Sequence, residues 1–140
     1  MSNLVMVDTG YWFALLDPRD ERHGRARLKA GWIDSMTVVS PWPVLYETLN
    51  TRFVKNRPGI VMFERIIKPP KGIRLDDAGY RGKALEQTFS EAVAGRRPIS
   101  LCDMVIRLML QDANLRINAL LTFNPGDFAD VCRSAGVEIL

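Results

Sequence analysis

The chain has 140 residues, of which 47% are hydrophobic and 25% are charged, and its formal net charge is +3. This length suits a single domain, and the hydrophobic fraction excludes an intrinsically disordered chain. The most apolar stretch, residues 101–110, is interrupted by Asp103 and Arg107 and is much shorter than a membrane span, so we expect no membrane segment. The first eight residues lack the basic segment that opens a secretory signal.

The cysteines and the histidine argue against two further classes of protein. Cys102 and Cys132 have no metal-binding spacing, and His23 is the only histidine. A zinc site and a disulfide scaffold are therefore both disfavoured. We expect a cytoplasmic protein in which both cysteines are small core residues.

Short apolar or β-branched runs alternate with amphipathic segments along the chain, which predicts an α/β fold. The predicted strands are residues 4–7, 36–40, 73–75, 118–122 and 137–140. The predicted helices are residues 11–16, 20–34, 41–55, 58–68, 76–94, 100–114 and 128–134. We expect one domain, residues 1–140, with a mainly parallel central sheet covered by helices on both faces.

Two polar positions follow predicted strands directly. Asp8 comes after the first strand, and the loop 122–127 comes after the fourth. Ligands of parallel α/β sheets bind at the carboxyl ends of the strands, where the strand order switches. This edge is the predicted functional site.

Four carboxylates occupy positions where an acid is costly unless it has a partner: Asp8, Glu47, Asp103 and Asp127. Each also has an ordinary structural interpretation. Asp8 and Asp127 could cap helices, Asp103 fits a capping pattern that begins at Ser100, and Glu47 could be a solvated helix flank. Only the joint pattern favours a site.

If the four acids converge, a divalent cation would offset their repulsion. Ligand sets made only of oxygen favour Mg²⁺ or Mn²⁺. Such a metal can bind a phosphodiester, polarise it and lower the pKa of a bound water.

With these residues the chain resembles the PIN-domain family, and within it the VapC-type ribonuclease toxins of toxin–antitoxin pairs. The resemblance covers essentially the whole chain and rests on four motifs taken in order. They are Val7-Asp-Thr-Gly10, Tyr46-Glu-Thr-Leu-Asn50, Leu101-Cys-Asp-Met-Val-Ile106 and Leu121-Thr-Phe-Asn-Pro-Gly-Asp-Phe128. It implies an α/β/α sandwich, Mg²⁺- or Mn²⁺-dependent endoribonuclease activity, a homodimer and inhibition by a cognate antitoxin.

The resemblance also implies a role for each acid. Asp8 and Asp103 would be direct or water-bridged metal ligands, and Glu47 would hold the metal or its water. Thr9 would orient a bound water through its hydroxyl.

The fourth pocket residue stays open between two positions. Many relatives have an acid close after the threonine, where this chain has Asn124, and a further acid before the phenylalanine, here Asp127. Asp127 would complete the acidic pocket, whereas Asn124 would supply a neutral oxygen and weaken the metal site.

The expected partners are RNA and an antitoxin that places an Arg or Lys in the acidic pocket. Seven basic residues between Arg52 and Arg74, against the single acid Glu64, form a candidate strip for the RNA backbone. Trp12, Trp42 and Tyr46 could stack on bases or pack in a core or dimer interface.

Two alternative functions remain open on the sequence. A PIN-like module could bind RNA or an antitoxin without cleaving, which the Asn124 substitution would favour. An aspartyl-phosphate enzyme or receiver domain with Asp8 phosphorylated is the second, and it is disfavoured. The second acid of the enzyme pattern is replaced by Gly10, and receivers carry the phosphorylated Asp after a middle strand rather than the first.

Overall fold

The computed structural model describes residues 3–140 and contains one five-stranded sheet. The strand order is β3-β2-β1-β4-β5, and every pair of neighbours is parallel. The strands are β1 (Leu4–Val7), β2 (Thr37–Pro41), β3 (Gly72–Leu75), β4 (Ala119–Leu121) and β5 (Glu138–Ile139).

Nine helices connect the strands within the described residues. They are α1 (Thr9–Leu16), α2 (His23–Leu28), α3 (Ala30–Ser35), α4 (Trp42–Thr48), α5 (Thr51–Val54), α6 (Arg57–Ile67), α7 (Arg81–Val93), α8 (Leu101–Gln111) and α9 (Ala129–Ala135), with a short 3₁₀ turn at Pro125–Asp127.

The sheet is covered on both faces. Successive residues of a strand point to opposite faces, and Val5, Met6 and Val7 of β1 are all fully buried. The predicted α/β/α sandwich with a parallel central sheet is therefore confirmed.

Two predicted helices are each divided in the structure. The segment 20–34 breaks at Lys29 into α2 and α3, and the segment 41–55 breaks at Leu49 and Asn50 into α4 and α5. At the second break the Asn50 side chain accepts a hydrogen bond from the backbone N–H of Phe53 (2.9 Å) and donates to the carbonyl of Glu47 (2.9 Å). Asn50 thus caps a new helix rather than continuing the old one.

The helix predicted over 76–94 begins later than expected, at Arg81. The Asp76 carboxylate accepts from the backbone N–H of Ala78 (3.3 Å), which is a local turn that competes with helix formation. No helix in residues 3–140 is both long enough and apolar enough to span a lipid bilayer.

Candidate active site

Asp8 lies where β1 meets β4. Val7 is opposite Leu121 in the parallel register, so the next residues, Asp8 and Thr122, are side by side. The Thr122 hydroxyl donates to Oδ2 of Asp8 (2.9 Å), and the backbone N–H of Thr9 donates to Oδ1 (2.8 Å). Asp8 therefore both caps α1 and faces the predicted site, so the two interpretations of this residue are compatible.

Asp8 is only 8% exposed, and its burial raises the pKa of its carboxyl group. The hydrogen bonds from Thr122 and Thr9 lower the pKa, but by less than burial raises it. The nearby charges of Glu47 and Asp127 raise it further.

Glu47 reaches the same region from α4. Its Oε1 accepts a hydrogen bond from the Thr9 hydroxyl over 2.8 Å. Although Glu47 is exposed, this contact fixes its carboxylate beside the start of α1. The Cys102 thiol also lies against Glu47, and burial together with this carboxylate raises the pKa of the thiol.

Asp103 lies in the first turn of α8. Its backbone N–H donates to the Ser100 hydroxyl (3.1 Å), as the capping pattern predicts. The side chain nevertheless takes part in the acidic group. Burial first, then the charge of Asp8 and the nearby carboxylate of Asp127, raise its pKa well above the ordinary carboxylate value.

Asp127 closes the group from the 3₁₀ turn after β4. Its Oδ2 accepts a hydrogen bond from the side-chain amide of Asn124 (2.7 Å), and the backbone N–H of Asn124 donates to the Thr122 hydroxyl (2.9 Å). Asn124 and Asp127 are therefore in contact with each other. The amide NH₂ of Asn124 is directed at the Asp127 carboxylate, which makes Asn124 a support for that acid.

The four carboxylates form one negatively charged pocket, which we call the acidic pocket: Asp8, Glu47, Asp103 and Asp127. Within residues 3–140, no Lys, Arg or His nitrogen lies within 4.0 Å of any of them. Partly buried carboxylates this close together repel one another unless they are protonated or share a cation.

The oxygen-only donors of the acidic pocket fit a hard divalent cation such as Mg²⁺ or Mn²⁺. In the described part of the chain, no three His, Cys, Asp or Glu side chains are placed so that they could hold one metal ion together, so at most two of the four acids would bind a cation directly. A cation in the acidic pocket would therefore complete its coordination with water, which is usual for Mg²⁺.

The structure shows two supporting contacts that the sequence analysis did not predict. The first is the Thr122 hydroxyl on Asp8, which the position of Thr122 at the end of β4 could have suggested. The second is Arg107 of α8, which donates to the backbone carbonyl of Asp127 (2.7 Å) and pairs with Asp130 at 2.7 and 2.9 Å. Arg107 thereby anchors the turn that carries Asp127.

The aromatic and histidine positions differ in their placement. Trp12 is fully buried, so of the two alternatives for this residue the structure has core packing, whereas Trp42 and Tyr46 are exposed. The ring nitrogen Nδ1 of His23 lies 2.8 Å from the carbonyl oxygen of Ala14, which is a structural contact. Cys102 and Cys132 are both buried, as predicted.

Neither a protein-family model nor a curated protein matches this sequence. Solved structures do match. VapC20 from Mycobacterium tuberculosis, described as a toxin that cleaves the sarcin–ricin loop, is 23% identical with a TM-score of 0.68, over 90% of this chain and 94% of that one.

Two further structures match over nearly the full length. VapBC2 from Rickettsia felis, bound to a DNA fragment from its promoter, is 13% identical with a TM-score of 0.60, over 98% of this chain and 97% of that one. FitAcB from Neisseria gonorrhoeae is 18% identical with a TM-score of 0.55, over 97% and 96%. The chain has the PIN-domain fold of the VapC toxins. In this PIN-domain fold the acidic pocket lies at the carboxyl ends of β1 and β4.

Proposed function

We propose that the chain is a Mg²⁺- or Mn²⁺-dependent endoribonuclease and the toxin of a type II toxin–antitoxin pair. The observation that carries this proposal is the acidic pocket, in which four carboxylates from separate elements meet without a basic side chain in contact. A binding module that does not cleave has no need to hold four repelling acids together at a cost in stability.

Each pocket residue has a proposed task. Asp8 and Asp103 would hold the cation directly or through water, Glu47 would hold the cation or its water, and Asp127 would complete the negative field. A cation bound there would polarise a phosphodiester and lower the pKa of a water ligand. Thr9 would orient a bound water, although in this structure its hydroxyl proton is donated to Glu47.

The protons of the acidic pocket must leave before a cation binds. The pKa of Asp103 is raised to about 7, so its carboxyl group is partly protonated near neutral pH. Because a metal needs ionised carboxylates, cation binding should release this proton, and affinity should rise with pH.

The proposed substrate is single-stranded or looped RNA. A small recessed pocket reaches unpaired nucleotides more easily than those inside a duplex. The description of VapC20 as a sarcin–ricin loop cleaving toxin supports a structured RNA loop as the substrate class.

The proposed protein partners are a cognate antitoxin and a second copy of the chain. The VapBC2 and FitAcB structures support an antitoxin partner for this chain, because each is a toxin–antitoxin complex. An Arg or Lys from that antitoxin would supply the positive charge that the acidic pocket lacks.

The test is cleavage of a structured RNA by the purified chain with Mg²⁺ or Mn²⁺. We expect cleavage that stops with EDTA and that is abolished in Asp8→Asn and Asp103→Asn. Glu86→Gln, which removes one exposed acid from α7, is the matched control and should cleave like the wild type.

Two outcomes would contradict the proposal. Undiminished cleavage by both Asp8→Asn and Asp103→Asn would show that the acidic pocket is not the active site. Tight RNA or antitoxin binding without any cleavage would favour the non-catalytic PIN-like module instead.

A further inference from the structure

Three basic side chains surround the ring of Phe123, which lies between two residues of the site, Thr122 and Asn124. The guanidinium carbon of Arg25 lies 5.1 Å from the ring centroid, that of Arg22 lies at 5.5 Å, and Nζ of Lys29 lies at 5.5 Å. These are cation–π distances. Positive charge is therefore concentrated around the residue that directly follows Thr122 in the chain.

The three cations form a row on one face of α2 and its flanking residues. Their spacing of three and then four residues places them on the same side of a helix. With a rise of 1.5 Å per residue, the backbone positions of Arg22 and Lys29 are about 10.5 Å apart along the helix axis. Arg22 and Arg25 are exposed, Lys29 is partly exposed, and among the residues that the structure describes none of them forms an ion pair.

The row is held rigidly against the site. Tyr11 of α1 stacks on Phe123, with ring centroids 5.6 Å apart and an interplanar angle of 27°. The buried Tyr11 hydroxyl donates to the carbonyl of Ala26 in α2 over 2.6 Å. One aromatic side chain thus links α2, which carries the cations, to the segment that carries Asn124 and Asp127.

We propose that Arg22, Arg25 and Lys29 bind consecutive phosphates of the RNA strand that enters the acidic pocket. This inference rests on the proposed ribonuclease function, because the bound polyanion is the substrate. A row of unpaired cations beside a row of acids fits a chain of phosphates with one phosphodiester at the metal-binding pocket and its neighbours on α2.

The position of this row differs from that of the basic strip predicted between Arg52 and Arg74. That strip is distributed over α5, α6 and β3, and its Lys71 lies 3.9 Å from Asp34. The cations of the row on α2 instead contact Phe123, in the loop that follows β4. The two surfaces can therefore be compared directly by substitution.

The test measures binding of a fluorescein-labelled stem–loop RNA by fluorescence anisotropy in EDTA, so that no cleavage occurs. The variant Arg22→Gln/Arg25→Gln/Lys29→Gln should bind at least about tenfold more weakly, and its slope of log affinity against log salt should be smaller by about 2. The comparison variant, called the α6 control, is Arg57→Gln/Arg65→Gln/Lys68→Gln, which removes the same charge from exposed positions of α6 and from its C-cap Lys68. These residues belong to the strip between Arg52 and Arg74, and this variant should lose less RNA affinity than the α2 triple variant. The variant Arg22→Lys/Arg25→Lys, which keeps the charge, should retain most of the affinity.

Several results would overturn the proposal. RNA binding by the α2 triple variant that equals the wild type would do so, as would a larger loss in the α6 control. If the α2 triple variant binds RNA like the wild type but no longer binds poly-glutamate, the row binds an acidic protein partner instead.

Failure of the ribonuclease function is distinguishable from failure of this inference. If the wild type binds RNA through α2 but cleaves none with Mg²⁺ or Mn²⁺, the surface is supported and the enzyme activity is not. If the wild type cleaves RNA while the α2 variant binds and cleaves normally, the activity stands and the surface is wrong.

Discussion

The hydroxyl of Thr9 donates to Oε1 of Glu47 over 2.8 Å, and this bond joins the first turn of α1 to α4 across 38 residues of sequence. Thr9 also directs its backbone N–H to Asp8. A single residue therefore orients two of the four carboxylates of the acidic pocket.

Replacing Thr9 by valine should slow RNA cleavage by about tenfold, because loss of a contact that orients a metal-binding carboxylate commonly costs tenfold or more. Stability should fall by only about 1 kcal/mol, since the exposed Glu47 can bind water instead. Initial cleavage rates and thermal unfolding of Thr9→Val measure the two effects.

Thr48 provides the matched control for that substitution. Its side chain is fully buried, and its hydroxyl has no hydrogen-bonding partner in residues 3–140. Thr48→Val should leave cleavage unchanged and leave the free energy of unfolding the same or raise it by about 1 kcal/mol. Equal loss of cleavage in both variants would contradict an orienting role for Thr9.

The stability of the metal-free protein should decrease as pH rises from about 4 to 7. The pKa of Asp103 is raised from 3.8 to about 7, and that of Asp8 is also raised. Between these values the folded chain binds more protons than the unfolded chain, so a rise in pH lowers the free energy of unfolding. Chemical denaturation at several pH values in EDTA measures this dependence.

Two additions to that experiment test whether the acidic pocket causes the pH dependence. Asp103→Asn should flatten the dependence, because the titrating group is removed, and should stabilise the protein at pH 8. At pH 8, added Mg²⁺ or Mn²⁺ should raise the free energy of unfolding of the wild-type protein, since a bound cation stabilises the ionised carboxylates. A pH profile that is identical with and without Asp103 would show that repulsion in the acidic pocket does not limit stability.

Arg107→Gln should loosen the turn that carries Asp127 and reduce both stability and cleavage. The side chain of Arg107 is mostly buried, and it makes charged hydrogen bonds to Asp130 and to the carbonyl of Asp127. Loss of these bonds should cost about 2 kcal/mol, as for other charged hydrogen bonds. Arg96→Gln is the control, because Arg96 pairs with Glu91 (3.0 Å) away from this turn and is 57% exposed, so its loss should cost less. An equal effect of both variants on cleavage would contradict a specific anchoring role for Arg107.

Gly72 should not tolerate a side chain, although its backbone is not in the left-handed region. A Cβ at this position would clash with the backbone carbonyl of Ile67, so Gly72→Ala should displace the start of β3 and destabilise the fold by about 1–3 kcal/mol. Gly82→Ala is the control. It lies in α7 with open space around it and should stabilise by about 0.5 kcal/mol. Urea denaturation of both variants measures the difference, and an unchanged stability of Gly72→Ala would contradict the close contact.

The strands and the side of the sheet that carries the site were predictable from the sequence because the responsible forces are local. An apolar run such as 4–7, of which residues 5–7 are fully buried, is stable only inside the sheet, and an acid directly after it lies at the carboxyl end of the strand. The helix breaks were harder to predict. Asn50 could extend an amphipathic helix or cap a new one, and the hydrogen bonds to Glu47 and Phe53 decide between the two.

The contacts within the site were not predictable from spacing alone. Thr122 meets Asp8 across 114 residues because β4 pairs with β1, and the order of strands in a sheet is not encoded locally. The row on α2 was missed for a similar reason. Its spacing is visible in the sequence, but its place beside Phe123 depends on tertiary packing.

The central place of β1 between β2 and β4 has a consequence during synthesis of the chain. Asp8 is made early, whereas its neighbour strand β4 begins at residue 119 of 140. A translation product that terminates before that point lacks Thr122, Asn124 and Asp127 and so has no complete acidic pocket. On the function proposed above, premature termination in a cell would yield fragments that are harmless to its RNA.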